Sequence, residues 1–487
     1  MRATLTSAAG DAQRVVPIGD LIPHESPEVI LRVHPHRERQ TIIGIGSSLT
    51  QASAVSLSTL SPETRSRVLA MAFASDEAAF SMARTHIASC DFSTHSYTYV
   101  PEPDASLESF SLDVDRENGH LDLLLDAHRV KGAQFRLIAS PWTAPPWMKD
   151  NGRYFDPQAR RGGKLLPEHY DTFARYTARY VEAMAQEGVS IWGLTPVNEP
   201  HGNGGSWESM EMSANEQAEY VAALGRALEA RDLELDVLIY DQNRAGVKAY
   251  ADGVLNHQDA HAHATGIAVH WYDSTFRVYA DQLEAVHAAW PDHPIVQTEG
   301  CIDNVFIKGE DKGPGAATPW WRDDSWYWQK VATDWGWDWA PSPEVDHPPY
   351  AAAFRYARDI VGGLAHWLSG WIDWNLALTR RGGPNHVENF CLAPILVDEG
   401  EIYITPLFHI LAQVSRHTRP GAVVLELEGD LPEGLWAVAL RNPDGTQIVH
   451  LFNETDHPIN VSIAWSEREP QVRCPASALL TLTLGTD

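Results

Sequence analysis

Between residues 41 and 405 the chain switches eight times between a short apolar run and a segment of helical periodicity. The runs are 41–48 (TIIGIGSS), 81–89 (SMARTHIAS), 135–141 (FRLIASP), 190–199 (SIWGLTPVNE), 235–241 (LDVLIYD), 266–272 (GIAVHWY), 294–300 (PIVQTEG) and 371–375 (WIDWN). Each is short and nearly continuous in its apolar character, as a strand buried on both faces must be. The segments between them read as helices. In one, Tyr170, Phe173, Tyr176, Tyr180 and Met184 recur at three- and four-residue steps. In another, Ser213 and Glu216 have the spacing of a capping box. Eight strand–helix alternations predict a (β/α)8 TIM barrel over residues 41–405.

The texture changes after residue 405. Residues 406–487 alternate apolar and polar positions, with turn signals such as Asn442-Pro443-Asp444-Gly445. Such signals at roughly 8–12-residue spacing predict an antiparallel β-sandwich. Residues 1–40 hold strand-like pieces without helical periodicity, and are expected to add one or more strands to that sandwich. The predicted fold is therefore α/β: a barrel with an appended sandwich built from both chain ends.

Composition narrows the partners. A formal net charge of −28 would repel phosphate backbones and anionic membranes, so no nucleic acid partner is expected. No apolar run reaches the length of a membrane span, roughly 18 residues. The opening MRATLTSAAGDAQRVV lacks a signal-peptide core, which points to the cytoplasm, or to secretion if the native start was trimmed. Cys90, Cys301, Cys391 and Cys474 are far apart in the sequence and show no metal-type spacing, so thiols in a reducing compartment are expected. The tract HQDAHAH (257–263) reads as a solvated helix end. GIGSSLT (44–50) has no lysine to complete a phosphate loop and reads as barrel backbone.

The working end of such a barrel is the carboxyl end of its strands. Strand 2 delivers Arg84 and then Asp91; strand 3 delivers Trp142 and Trp147; strand 4 delivers Asn198 and Glu199. Strand 6 ends in His270, Trp271 and Tyr272, strand 7 in Glu299, and strand 8 in Asp373, Trp374 and Asn375. No tip offers a phosphate cradle or a three-histidine metal site, so neither cofactor nor metal is expected. Glu199 and Glu299 stand on opposite sides of the barrel mouth. Two facing carboxyl groups ringed by aromatic side chains are the equipment of glycoside hydrolysis: one acid protonates the leaving oxygen while the other meets the developing oxocarbenium carbon. A non-catalytic sugar-binding barrel would be expected to lack one of the two. A metal-dependent barrel hydrolase would want His-x-His on strand 1, where this chain has Gly44-Ile45-Gly46.

Taken in order, ASCDFS, SPWTAPPWMKDNG, LTPVNEP, GIAVHWY, QTEGC and WIDWNLALTRRGGPNHVENF resemble glycoside hydrolase family 30, the glucosylceramidase-like enzymes of clan A. The resemblance spans about residues 40–450. It implies a retaining double displacement with Glu199 as acid/base and Glu299 as nucleophile. It also implies sugar-binding roles for Arg84, Asp91, Trp142, Asn198, His270, Tyr272, Trp374 and Asn389. The implied substrate is a β-glucoside or glycolipid cleaved by a glucosylceramidase-like exo-β-glucosidase, with an endo-β-1,6-glucanase or a xylan- or xyloside-cleaving enzyme as alternatives. Two departures stand out: Gln51 in LTQASA, where the family often has an acid, and Thr85-His86 after Arg84, where Val-Pro is commoner. Both are read as packing changes.

Two further expectations come from local chemistry. Pro200 should bias Glu199 toward extended backbone and so help aim it. Glu299 and Trp371 are about 70 residues apart, far more than one crossover needs. The excess holds Trp320, Trp321, Trp326, Trp328, Trp335, Trp337 and Trp339, and is expected to overhang the pocket as a lid.

Overall fold

The computed structural model describes residues 1–302, 351–389 and 391–485. The tryptophan-rich stretch holding Trp320 to Trp339, expected to form a lid, lies outside the described residues.

Eight parallel strands close into a barrel in the predicted order. They are Gly44–Ser47, Met82–Ile87, Arg136–Pro141, Gly193–Leu194, Asp236–Asn243, Gly266–His270, Ile295–Glu299 and Leu368–Asp373, numbered 1 to 8 below. Strand 8 pairs with strand 1 through Gly370 opposite Gly44, which closes the ring. Inside, Met82, Ile138, Leu238, Ala268, Val296 and Ile372 form a small plug, one residue from each of six strands. Outside, the helix Tyr170–Glu187 buries Tyr170, Phe173, Tyr176, Tyr180 and Met184, as its periodicity predicts. Ser213 and Glu216 close the expected capping box on the helix Ala214–Glu229.

Strand 4 departs from its sequence signature. Its ladder covers only Gly193–Leu194, although the apolar run continues to Val197. Pro196 has no N–H to donate, so the ladder cannot extend through it. Beyond it the chain is tacked down by single bonds: the Asn198 N–H donates to Pro141 O at 2.8 Å and the Glu199 N–H to Asp241 O at 2.9 Å.

The glycines of strand 1 have a packing role. A Cβ on Gly46 would lie 1.8 Å from the Met82 carbonyl oxygen, and one on Gly44 would lie 2.5 Å from Met82 Cγ and Ser81 Oγ. Strands 1 and 2 approach closely only because both positions lack a side chain. The tract 257–263 lies on and around the short helix Gln258–His261, with His257 and His261 exposed.

Both chain ends build the second unit. Arg2–Ser7, Arg14–Val16 and Val29–Thr41 join six strands from Val423 onward in one nine-stranded sheet. The pairing is antiparallel except where Val29–Thr41 runs alongside Ile459–Trp465. These two strands come from opposite chain ends, so no hairpin dictates their direction. One face shares a core containing Leu5, Leu31, Leu451, Ile463 and Leu482. Val424, Leu440, Ile448 and Phe452 belong instead to the core shared with the barrel.

The helix Pro406–His417 lies between the two units and buries Leu407, Ile410, Leu411 and Val414 in the barrel-side core. From the same helix, buried Gln413 reaches the sheet. Its Nε2 lies 3.0 Å from Thr4 O, 3.1 Å from Leu479 O and 2.9 Å from Thr481 Oγ1, and its Oε1 accepts from Thr6 at 2.7 Å. Among the described residues no helix is long and apolar enough to cross a membrane.

The approach of strands 1 and 2 generates a prediction. Gly46→Ala should cost about 3 kcal/mol or prevent folding, because the obstructing atom is backbone and cannot turn aside. Gly19→Ala, where a Cβ meets nothing within 4 Å, should change stability little. Chemical denaturation of the two variants tests this, and equal midpoints would refute it.

Candidate active site

The carboxyl ends of the strands surround a cavity of about 590 Å³. Asp91, Trp142, Asn198, Glu199, Tyr272, Glu299, Trp374 and Asn389 line it. Arg84 and His270 are fully buried beneath them, each in contact with lining residues. The two glutamates and the eight residues given sugar-binding roles by the resemblance therefore meet in one place, whereas Trp147 does not line the cavity and donates to Val100 O.

Arg84 is the hub. Its Nε donates to Ser140 Oγ at 3.0 Å, and its Nη2 to Asn198 Oδ1 and Asp241 Oδ2, both at 2.7 Å. Its Nη1 donates to Glu299 Oε2. The guanidinium also lies 4.7 Å from the Trp142 ring centre and 5.6 Å from that of Trp374. These two rings stack at 5.2 Å with 21° between their planes.

Asp241 is the second centre. Its Oδ2 accepts from Arg84, its Oδ1 accepts from Thr298 Oγ1 at 2.6 Å and faces His270 Nε2 at 3.0 Å, and Thr195 Oγ1 lies 2.7 Å from Oδ2. Burial opposes its ionisation, but Arg84 and His270 outweigh burial and hold the carboxyl well below the usual range. An ionised Asp241 orients His270, facing Nε2 at 3.0 Å, and leaves Nδ1 turned to Glu199 Oε1 at 3.2 Å. Burial would lower His270, yet Glu299 and Asp241 raise it to about 9. A ring so raised presents a protonated Nδ1 to Glu199.

Glu299 receives Arg84 on Oε2 and the Tyr272 hydroxyl on Oε1 at 3.0 Å. Burial pushes its carboxyl up, while His270 and Arg84 pull the other way. One oxygen of Glu199, one of Glu299 and a ring nitrogen of His270 lie within 4.8 Å of one another.

Glu199 does not take the extended backbone expected from Pro200: its φ is +45°. The bond from its N–H to Asp241 O overrides the local preference. Ala88, Tyr240, Asp241 and Asn375, also at strand ends around the cavity, share positive φ. Such conformations cost of order 1–3 kcal/mol each and persist where surroundings enforce them. Because Asn198 Oδ1 is taken by Arg84, its amide NH2 is left for a ligand, and among the described residues it makes no other hydrogen bond.

On the opposite wall Asn389 Nδ2 donates to Asp91 Oδ2 at 2.7 Å, while buried Asp91 Oδ1 has no hydrogen-bond partner among the described residues. Burial, and then the charge on Glu299, push the Asp91 carboxyl well above its usual range. The two unusual positions Gln51 and His86 are bonded to each other. The Gln51 N–H donates to His86 Nε2 at 3.0 Å, and the Gln51 side chain exchanges two 3.1 Å bonds with Thr94 on the loop that carries Asp91. Burial holds His86 down at about 3, which keeps it a neutral acceptor.

Sequence reading missed Asp241. It follows the apolar run LIY inside strand 5, where the ladder shifts register between Tyr240 and Gln242, and no sequence motif marks it. Gln242 and Asn243, the last residues of strand 5, and Trp207, on the loop after strand 4, also line the cavity without any motif to mark them.

Residues 42–313 and 337–418 match the glycosyl hydrolase family 30 TIM-barrel domain, and residues 421–482 match the family 30 beta sandwich domain. The chain is 28% identical over 445 residues to the lysosomal acid glucosylceramidase of Mus musculus, covering 90% of this chain and 79% of that protein. It is 25% identical over 461 residues to an endo-1,6-beta-D-glucanase of Aspergillus fumigatus, covering 89% and 83%. Among solved structures it is similar to SrfJ of Salmonella typhimurium, with a TM-score of 0.84, 24% identity and coverage of 100% and 99%.

The Asp241 network predicts a measurable consequence. In Asp241→Asn, His270 loses a charge that raises it, so its value falls from about 9 toward the ordinary 6.5. An NMR titration of the imidazole reads this directly. The same change leaves Arg84 short of a counter-charge and should cost about 3 kcal/mol in folding stability. An imidazole that titrates unchanged would refute the assignment.

Proposed function

The chain belongs to glycosyl hydrolase family 30, and on that premise we propose that it is a retaining β-glucosidase of the glucosylceramidase-like kind. Glu299 attacks the anomeric carbon while Glu199 protonates the leaving oxygen. Water activated by Glu199 then releases the sugar from the glycosyl-enzyme. The observation that carries this reading is the spacing of the carboxyl groups. Oxygens of Glu199 and Glu299 within 4.8 Å of each other support the short separation of retaining enzymes, about 5–5.5 Å, against the 6.5–9.5 Å that an inverting water needs.

The surrounding groups divide the labour. Arg84 and Tyr272 hold Glu299 by one oxygen each and favour its ionised, attacking form. His270 exchanges the proton that Glu199 gives and recovers, and Asp241 keeps that ring in register. The Asn198 amide faces the 2-hydroxyl, a contact that strengthens as charge builds at the anomeric carbon. Asp91 and Asn389 meet hydroxyls farther round the ring, over the Trp142–Trp374 stack. The glucosylceramidase relative, with slightly higher identity over a similar share of the chain, favours a β-glucoside or glycolipid. The second reading is an endo-β-1,6-glucanase, which the Aspergillus relative supports.

Products from an aryl β-glucoside, an aryl β-xyloside, glucosylceramide and a β-1,6-glucan decide between these. Glucose from the glucoside and the ceramide is expected; oligosaccharides from the glucan alone would favour the second reading. Glu299→Gln should remove nearly all turnover. Glu199→Ala with azide should yield a β-glycosyl azide, and an α-azide would exchange the two roles. The first product by NMR should be the β-anomer.

The pH profile follows from burial. Because burial raises Glu299, the acidic limb of kcat/KM should lie above the ordinary glutamate value of 4.5. Arg84 favours the ionised form, so Arg84→Met should move that limb further upward. A limb that stays put would show that another group sets it.

A further inference from the structure

Cys301 and Cys391 are 90 residues apart in the chain, yet their sulfurs lie 2.9 Å from each other in the wall of the cavity. Cys301 is the second residue after Glu299, and Cys391 the second after Asn389. The backbones are fastened side by side. The Leu392 N–H donates to Ile302 O at 2.8 Å, the Cys391 N–H to Gly382 O at 3.2 Å, and Trp271 Nε1 to Cys301 O at 3.0 Å. The Tyr272 hydroxyl that donates to Glu299 lies 3.4 Å from Cys301 Sγ, so one contact separates the sulfur pair from the groups on Glu299.

We propose that Cys301 and Cys391 are an oxidisable dithiol, which a hydroperoxide entering the cavity closes to a disulfide, slowing glycoside cleavage. The effect on catalysis rests on the reading of Glu299 as nucleophile; the formation of the disulfide does not. In the first step one thiolate attacks a peroxide oxygen. The O–O bond breaks, the sulfur becomes a sulfenic acid and the departing hydroxide takes a proton to leave as water. The second thiol then attacks that sulfur, the S–O bond breaks and a second water leaves. Two thiols lose two hydrogens and two electrons, and hydrogen peroxide becomes two waters.

Closing the bond requires the sulfurs to approach by roughly 0.9 Å, to about 2.05 Å. That movement is drawn from the end of strand 7, beside Glu299 and Tyr272, and from the segment that holds Asn389 against Asp91. It also removes the thiol hydrogen next to the Tyr272 hydroxyl. A displacement of about 1 Å at reacting groups can cost on the order of 100-fold in rate. Cys90 and Cys474 provide an internal control. All four thiols are buried, but only Cys301 and Cys391 line the cavity; burial pushes the Cys474 thiol up to about 12 and the Cys90 thiol well above its usual range.

The test exposes the full-length protein to hydrogen peroxide, alkylates it and maps its peptides by mass. A linked peptide joining Cys301 to Cys391, two hydrogens lighter than its parts, is expected. Cys90 and Cys474 should be alkylated only after unfolding. Turnover of an aryl β-glucoside should fall at least ~10-fold and return with dithiothreitol. Cys391→Ala should hold its own rate through the same exposure. Absence of the linked peptide in the unsubstituted protein overturns the dithiol. A linked peptide with unchanged turnover, or an equal loss in Cys391→Ala, overturns its control of catalysis. A protein that forms the link but cleaves no glycoside before oxidation sinks the proposed function and leaves the dithiol standing.

Discussion

A guanidinium sealed beneath the cavity floor is the point from which the site is built. Taking a cation out of water costs several kcal/mol unless it is fully paired. Arg84 is paired through Nε and both terminal nitrogens, to partners from strands 3, 5 and 7 and from the segment after strand 4. Each of those partners is itself a working group or touches one. The guanidinium orients the Asn198 amide, keeps Asp241 ionised and favours ionised Glu299. Through Asp241 it also fixes which nitrogen of His270 faces Glu199. Charge-assisted bonds in a buried, low-dielectric setting are stronger than their surface counterparts. The same setting makes the loss of any one of them expensive, so the constellation holds as a unit.

That unit also accounts for the backbone around it. Glu199, Asp241 and Asn375 all sit at positive φ near strand ends. Asp241 and Asn375 are residue types that tolerate this conformation, but Pro200 argues against it at Glu199. The conformations are accompanied by bonds between neighbouring strand ends, from Glu199 N–H to Asp241 O and from Ser48 N–H to Asp373 O. Strain is therefore concentrated where side chains must be aimed, and the regular barrel below supplies the rigidity.

Legibility in the sequence follows the same division. Strands buried on both faces announce themselves as apolar runs, so the ring of eight and the residues at its tips could be read directly. The length of strand 4 could not, because the run LTPV looks continuous while Pro196 ends the ladder inside it. Asp241 was hidden by being the last residue of its run, where strand and site overlap. The glycines of strand 1 read as barrel backbone for want of a lysine, but the contact that requires them could not be read, because a close approach of two backbones leaves the same mark in sequence as a close approach to a ligand. The sulfur pair lies beyond any spacing rule, since it depends on two loops meeting above the barrel.

The helix Pro406–His417 has a bearing on modularity. It is a shared wall: one side completes the barrel's packing and Gln413 is mortised into strands from both ends of the chain. A gene fragment ending near residue 420 would encode a barrel whose last helix presents a buried amide and an apolar face to solvent. Removing the first seven residues would strip the same joint from the other direction. The sheet is thus no passenger that recombination could exchange for another appendage. Barrel and sheet are joined through one helix that serves both.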